Sequence, residues 1–167
     1  MTEDVYYNMI YQKTASLIST CCEIGAITAS KEKNDRKNLA LFGENLGMAF
    51  QIKDDLFDLL GNEGSTGKDM GSDVKRNMVT LPLIHSYSHT SKTGVRKIKR
   101  ILRNKHKTPE DVEELKTFIH ETGGFNYAKD KLDEYSSKAL DSIQIYPDSV
   151  YKDSLTDLVA FNAQRSY

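Results

Sequence analysis

An all-α fold is what this chain of 167 residues predicts, on three observations. There are only three prolines, Pro82, Pro109 and Pro147. The segments between them space their apolar residues as a helix does, not in the alternation of a strand. Those segments also open and close on recognisable signals: Thr108-Pro109-Glu110-Asp111 is a helix start and Gly123-Gly124 a break.

Taken in order, the first helix is expected from Thr2, a good N-cap followed by acids, to about Ala29. Its apolar pattern runs through Tyr6, Ile10, Leu17, Ile18, Ile24 and Ile27. A second begins near Asp35 and continues through Leu39, Phe42, Leu46, Phe50 and Phe57 to Leu60, where Gly61 supplies a stop. From Gly61 to about Val79, four glycines among polar and charged residues predict a long loop, and loops of that length in compact domains are often functional. Helix resumes with Thr80 as cap and Pro82 in the first turn. Further helices are expected at about 93 to 105, 109 to 122, 124 to 144 and 148 to 165. No repeat, low-complexity tract or linker interrupts the chain, so residues 1–167 are expected to form a single all-α domain.

Composition bounds the function. A hydrophobic content of 38 % suffices for one core. With 23 Lys and Arg against 24 Asp and Glu, the net charge of −1 gives no whole-molecule reason to expect nucleic acid or an anionic membrane, so any anion site must be local. Cys21 and Cys22 are adjacent, where a disulfide is strained and rare, which predicts reduced thiols in a cytoplasmic protein. No apolar stretch approaches the roughly 18 residues of a membrane span, and the opening Met1-Thr2-Glu3-Asp4 is not the basic start of a signal peptide.

The chemistry is concentrated between Gly47 and Asp58. Gly47, Gln51, Asp54 and Asp58 are spaced four, three and four apart, one stripe of a helix, with Asp55 at its edge. Apolar neighbours Leu46, Phe50, Leu56, Phe57, Leu59 and Leu60 place that stripe against a cavity between helices. Carboxylates gathered in such a place repel one another and lose hydration. Mg²⁺ is a natural counter-ion, since it takes oxygen ligands and bridges one or two carboxylates to a phosphate. The competing reading is an acidic, solvated helix face, and Asp-Asp-x-x-Asp alone does not decide between them. The following loop adds Gly67-Lys68, Asp69, Gly71, Asp73, Lys75 and Arg76, cations and glycines suited to closing over a metal-bound diphosphate, although Lys68 by itself also reads as a solvated lysine. Lys13-Thr14 interrupts an apolar helical pattern, and Lys13 either snorkels to water or reaches into a polar cavity.

Several segments resemble, in order and spacing, the second half of the polyprenyl synthetases, the trans-type isoprenyl diphosphate synthases. They are Lys13-Thr14-Ala15, Gly25-Ala26, Gly43-Glu44-Asn45-Leu46-Gly47, Phe50 through Asp58, Gly67-Lys68, Gly71-Ser72-Asp73 and Thr80-Leu81-Pro82-Leu83-Ile84. Glu121-Thr122-Gly123-Gly124 and the closing Arg165-Ser166-Tyr167 extend the similarity over essentially the whole chain.

The resemblance implies the C-terminal portion of a helical prenyltransferase bundle. It implies a reaction in which an allylic diphosphate ionises with Mg²⁺ assistance and isopentenyl diphosphate captures the cation, lengthening the chain head to tail. Stabilising the departing diphosphate is then the main catalytic task. By similarity Asp54 would be the main metal ligand, with Asp55 and Asp58 supporting it or bridging through water. Lys13 and Lys68 would bind the allylic diphosphate, Thr14 and Gln51 would assist by hydrogen bonds near the reacting carbon, and Phe50 would flank the isoprenoid tail. The family also implies a second subunit, and a homodimer or other self-association is expected.

Two departures stand out. Met78 occupies a position, two residues before Thr80-Leu81-Pro82, where family members usually carry lysine. The chain also holds one aspartate-rich motif, whereas the family has another in its first half with the basic residues that bind isopentenyl diphosphate. The expectation is therefore a fragment of a longer enzyme, inactive alone, with the motifs resembling medium- or long-chain (octaprenyl-type) bacterial members. A non-catalytic subunit of a heteromeric synthase and a class I terpene cyclase are the alternative readings.

Overall fold

The computed structural model describes residues 1–60, 78–104 and 107–165. Eight α-helices fill most of them: α1 (Glu3–Ile10), α2 (Ser16–Ala29), α3 (Lys33–Leu60), α4 (Leu81–Ser88), α5 (Lys92–Arg103), α6 (Pro109–Glu121), α7 (Gly124–Ile143) and α8 (Val150–Gln164). No strand occurs among the described residues. The expected stop at Gly61 lies outside them.

Most helix ends follow from local hydrogen bonding. Thr108 and Asp111 form a reciprocal capping box: the Asp111 amide donates to Thr108 Oγ1 at 3.2 Å and the Thr108 amide donates to Asp111 Oδ2 at 3.1 Å. Ser91 caps α5 by accepting from the Gly94 amide, which starts that helix slightly earlier than its apolar pattern suggests. Ser149 caps α8 through the Lys152 amide. Gly123 ends α6 with φ of 75°, a left-handed conformation that disfavours side chains. Thr80 behaves differently from the expectation. It stands at the N-cap of α4, yet its buried side chain makes no capping bond, and only its carbonyl serves the helix by accepting from the Leu83 and Ile84 amides.

The first expected helix, from Thr2 to Ala29, is not a uniform α-helix. Between α1 and α2 the chain makes a π-helical turn at Tyr11–Ala15, where the Ser16 amide donates to the Tyr11 carbonyl five residues back. Single π turns often mark functional positions.

The chain divides into two compact units. The first consists of the described residues of Met1–Tyr6 and Asp54–Lys129, the second of those of Tyr7–Lys53 and Asp130–Ser166. Buried in the first unit are Tyr6, Leu56, Leu59, Leu81, Leu83, Ile84, Ile98, Ile101, Leu102, Leu115, Ile119 and Phe125. There α6 packs against both α4 and α5. At the joint between α6 and α7, Thr122 Oγ1 donates to Ser86 Oγ of α4 at 2.7 Å. A methyl group on Gly124 would run into the Pro82 carbonyl and Ser86, so only glycine admits this approach.

The second unit has its core in Phe42 and Leu46 of α3, Ala139 and Ile143 of α7 and Val159 of α8, with Cys22, Leu39, Leu140, Tyr146 and Leu155 packed around them. Small residues let α3 lie close to the π turn and α2. A Cβ on Gly43 would stand 2.7 Å from the Ile18 carbonyl oxygen, and one on Gly47 would stand 2.5 Å from Ala15 Cα. Not all the apolar pattern of α2 is core: Leu17, Ile24 and Ile27 lie exposed, Leu17 at 68 %. Both cysteines are free thiols, and burial, with Cys21 beside it, pushes the Cys22 thiol up.

Candidate functional site

Helix α3 carries the residues singled out between Gly47 and Asp58, and it stays helical through them because Leu, Phe, Ile and Met recur at its buried positions without a proline or interior break. Gln51 and Asp55 are buried, while Asp54 and Asp58 are half-buried.

In the second unit, two residues 37 apart in sequence meet: Thr14 Oγ1 donates to Gln51 Oε1 at 2.8 Å. Gly47, one turn before Gln51, makes the meeting feasible, since its missing side chain admits Ala15 of the π turn. Lys13 on that turn is exposed. Its side chain therefore has water access. The Thr14 hydroxyl, by donating to Gln51, holds the amide oxygen of Gln51 and leaves the orientation of its amide nitrogen determined by the same bond.

In the first unit, Asp55 is engaged by a residue that carried no functional signal in the sequence. The Tyr6 hydroxyl donates to Asp55 Oδ2 at 2.7 Å, with Tyr6 at 0 % and Asp55 at 5 % exposure. Tyr6 sits in the apolar pattern of α1 and is indistinguishable there from a plain core residue. Among the described residues no three His, Cys, Asp or Glu side chains stand together as a ready-made metal cage. Asp54 and Asp58 are oxygen donors four residues apart on one helix, the hard-ligand chemistry that Mg²⁺ takes. A magnesium site commonly draws only one or two carboxylates from the protein and the rest from phosphate and water. The donor set therefore fits Mg²⁺ in that mode.

Lys53, between Gln51 and Asp54, has a structural part that the sequence did not reveal. Its ammonium group donates to the carbonyl of Ala163, in the last turn of α8, at 3.0 Å, and its side chain is buried. Cations at a helix C-terminus complete orphan carbonyls and oppose the negative end of the dipole. Close by, the Arg165 guanidinium lies 4.8 Å from the centre of the Phe50 ring, which is 38 % exposed, and Arg165 also donates to Asn162 Oδ1. Phe50 is thus half in contact with the chain's own C-terminal helix. Lys68 and its neighbours Gly67, Asp69, Gly71, Asp73, Lys75 and Arg76 lie outside the described residues. Met78 is half-buried.

A family model described as polyprenyl synthetase matches residues 1–119, which include Lys13, Thr14 and every aspartate of α3. This chain belongs to the polyprenyl synthetase family. The octaprenyl diphosphate synthase of Haemophilus influenzae is 32 % identical over 166 residues, covering 99 % of this chain and 50 % of that enzyme. Among solved structures, the geranylgeranyl pyrophosphate synthetase of Pyrococcus horikoshii superimposes with a TM-score of 0.92 at 28 % identity, covering 99 % of this chain and 50 % of that one. The polyprenyl synthase of Caulobacter crescentus, in complex with calcium and isoprenyl diphosphate, does so with a TM-score of 0.90 at 27 % identity and the same coverage. The helical bundle is thus that of the prenyltransferases, and the chain spans about half the length of these relatives. No helix among the described residues is long and apolar enough to cross a membrane.

Proposed function

We propose that this polyprenyl synthetase chain is the C-terminal half of a trans-type isoprenyl diphosphate synthase and carries the part of the site that receives the allylic diphosphate and Mg²⁺. The observation that carries the reading is the Thr14–Gln51 hydrogen bond, because it brings together two residues, 37 apart in sequence, that the family motifs single out. When bound, Mg²⁺ supplies positive charge to the diphosphate as it departs. Asp54 would be its main protein ligand and Asp58 would support it, while Asp55, buried and accepting from the Tyr6 hydroxyl, would bridge to it through water.

The residues of the chain have distinct tasks in this reading. Lys13, exposed on the π turn, offers an ammonium group to diphosphate oxygen, and Lys68 does the same from the segment after α3. Gln51, held by Thr14, orients its amide toward the reacting carbon. Asp55 is buried under Tyr6 and contributes by shaping the turn of α3 that carries Asp54. In the reaction the allylic carbon–oxygen bond breaks with both electrons leaving on the diphosphate. The double bond of isopentenyl diphosphate then attacks the cation, and a proton is lost to restore the alkene. Binding isopentenyl diphosphate is assigned to a half of the enzyme that this chain does not contain, so elongation is not expected from this chain alone. A second copy is the expected partner.

Met78, where the family usually has lysine, favours a second reading, a non-catalytic subunit of a heteromeric synthase. Such a subunit has no need of Asp54. Calorimetric titration with Mg²⁺ and a non-ionisable allylic diphosphate analogue, on the wild-type chain and Asp54→Ala, separates the two. Metal-dependent binding that vanishes in the variant supports the synthase reading, and binding indifferent to Asp54 overturns it.

A further inference from the structure

Helix α5 has a charge distribution unlike the rest of the chain. Six of the protein's 23 Lys and Arg lie in its twelve residues, Lys92, Arg96, Lys97, Lys99, Arg100 and Arg103, and none of its 24 Asp and Glu. Its opposite side is core, with Ile98, Ile101 and Leu102 buried in the first unit. At about 100° per residue, Lys92, Arg96, Lys99, Arg100 and Arg103 fall within an arc of about 100° and along about 17 Å of helix. All five are exposed. Lys97 stands off this stripe and is the member neutralised by an acid, Glu114 of α6 at 2.5 Å. Lys99 lies 5.7 Å from the centre of the Tyr87 ring. Among the described residues Lys92, Arg96, Arg100 and Arg103 form no ion pair with a carboxylate.

The stripe works against the helix that bears it. Lys92–Arg96, Arg96–Lys99, Arg96–Arg100, Lys99–Arg103 and Arg100–Arg103 are like-charged neighbours three or four residues apart, an arrangement that destabilises a helix. Elsewhere the protein interleaves signs, as in α7, where Lys131 and Lys138 both bind Glu134. Solubility alone is served by that mixed pattern, so an unrelieved stripe points to an anionic partner.

We infer that the α5 stripe is a docking surface for an anionic lipid bilayer. Its exposed face has no Asn, Gln or aromatic side chain with which to read or stack on bases, which disfavours a nucleic acid. A bilayer presents anionic headgroups that move laterally under a compact row of cations, and each basic residue near such a surface strengthens attachment. Because Ile98, Ile101 and Leu102 are committed to the core, α5 lies on the headgroups without burying an apolar face, and attachment is electrostatic. The choice of a bilayer rests on the proposed function, since an enzyme that lengthens an apolar chain on a diphosphate head makes a product whose medium is the membrane. The near-zero net charge of the whole molecule conceals this local segregation.

Co-sedimentation of the full chain with vesicles tests it. The chain is expected to bind vesicles of equal parts phosphatidylcholine and phosphatidylglycerol, to ignore phosphatidylcholine alone, and to be released by salt. Arg96→Ala with Arg100→Ala is expected to weaken binding roughly 30-fold, with a Tm equal to or above wild type because repulsion is relieved. Lys33→Ala with Lys37→Ala is expected to bind as wild type does. Equal binding to phosphatidylcholine, unchanged binding by the arginine variant, or equal or tighter binding to polyuridylate overturns the inference. Asp54→Ala leaves vesicle binding intact, so failure of the diphosphate titration and failure of the vesicle experiment are separate results.

Discussion

The Tyr6 hydroxyl donates a 2.7 Å hydrogen bond to Asp55, joining the first helix to the aspartate-rich turn of α3 across 49 residues of sequence. Removing one donor from a buried carboxyl group costs about 1–3 kcal/mol. Tyr6→Phe is expected to lose about that much in urea denaturation. Asp54→Asn, at a half-buried position, is expected to change stability little while lowering Mg²⁺-dependent diphosphate binding at least tenfold. The pattern to look for is stability at Asp55 and Tyr6 against ligand affinity at Asp54. An Asp54→Asn chain that loses as much stability as Tyr6→Phe and binds as well as wild type would contradict the division of labour.

Gly47 controls the approach of α3 to the π turn. Its added methyl group would meet backbone at 2.5 Å, which no rotamer change relieves. Overpacking of this kind costs about 1–3 kcal/mol, so Gly47→Ala is expected to lower Tm and weaken diphosphate binding by pulling Thr14 from Gln51. Thr14→Val removes the same hydrogen bond without the clash, and is expected to weaken binding with a smaller loss of stability. Equal losses of stability in the two variants would argue that the close approach has no separate part.

Lys53 is expected to act on α8 through its bond to the Ala163 carbonyl. Lys53→Met keeps the apolar stem and removes the donor. Hydrogen exchange should rise at the Arg165 amide, whose bond to the Phe161 carbonyl closes the same turn. Unaltered protection there would mean that the buried ammonium group does not hold the end of the helix.

Two groups predict how stability varies with acidity. The His85 ring is stacked between His89, at 3.9 Å, and Tyr127, at 4.2 Å, while the Tyr127 hydroxyl donates to Glu3 at 2.5 Å. Burial first, and then the charge of His89, lower its pKa from the ordinary 6.5, against the opposing charge of Glu3. Below about pH 6.5 the unfolded chain therefore binds a proton that the folded chain resists, so the contribution of His85 is complete above that pH and falls away as pH drops. Glu134 is held down to about 2 by hydrogen bonds from Lys131 and Lys138. Its contribution is present above the ordinary 4.5 and is lost as pH falls toward 2. It is exposed, so the effect is small and screened by salt. Thermal melts across this range should show the upper decline removed by His85→Gln and the lower one reduced by Glu134→Gln or by high salt. A wild-type slope below pH 6.5 that survives His85→Gln would contradict the first assignment.

The helical class, most helix ends and the residues that share the α3 stripe are legible in the sequence, because these follow from near neighbours. Apolar spacing is local, a capping box such as Thr108 with Asp111 spans three residues, and Gln51, Asp54 and Asp58 share a face through helix geometry alone. Tertiary structure decided which of those side chains were committed elsewhere. Tyr6 and Asp55, Thr14 and Gln51, and Lys53 and Ala163 are paired across 49, 37 and 110 residues, and their local sequence does not encode those pairings. The π turn and the exposure of Leu17, Ile24 and Ile27 belong to the same class. A helical period tells which residues share a face, but not what that face meets, and burial and hydrogen bonding are settled by the partner that arrives from a distant part of the chain.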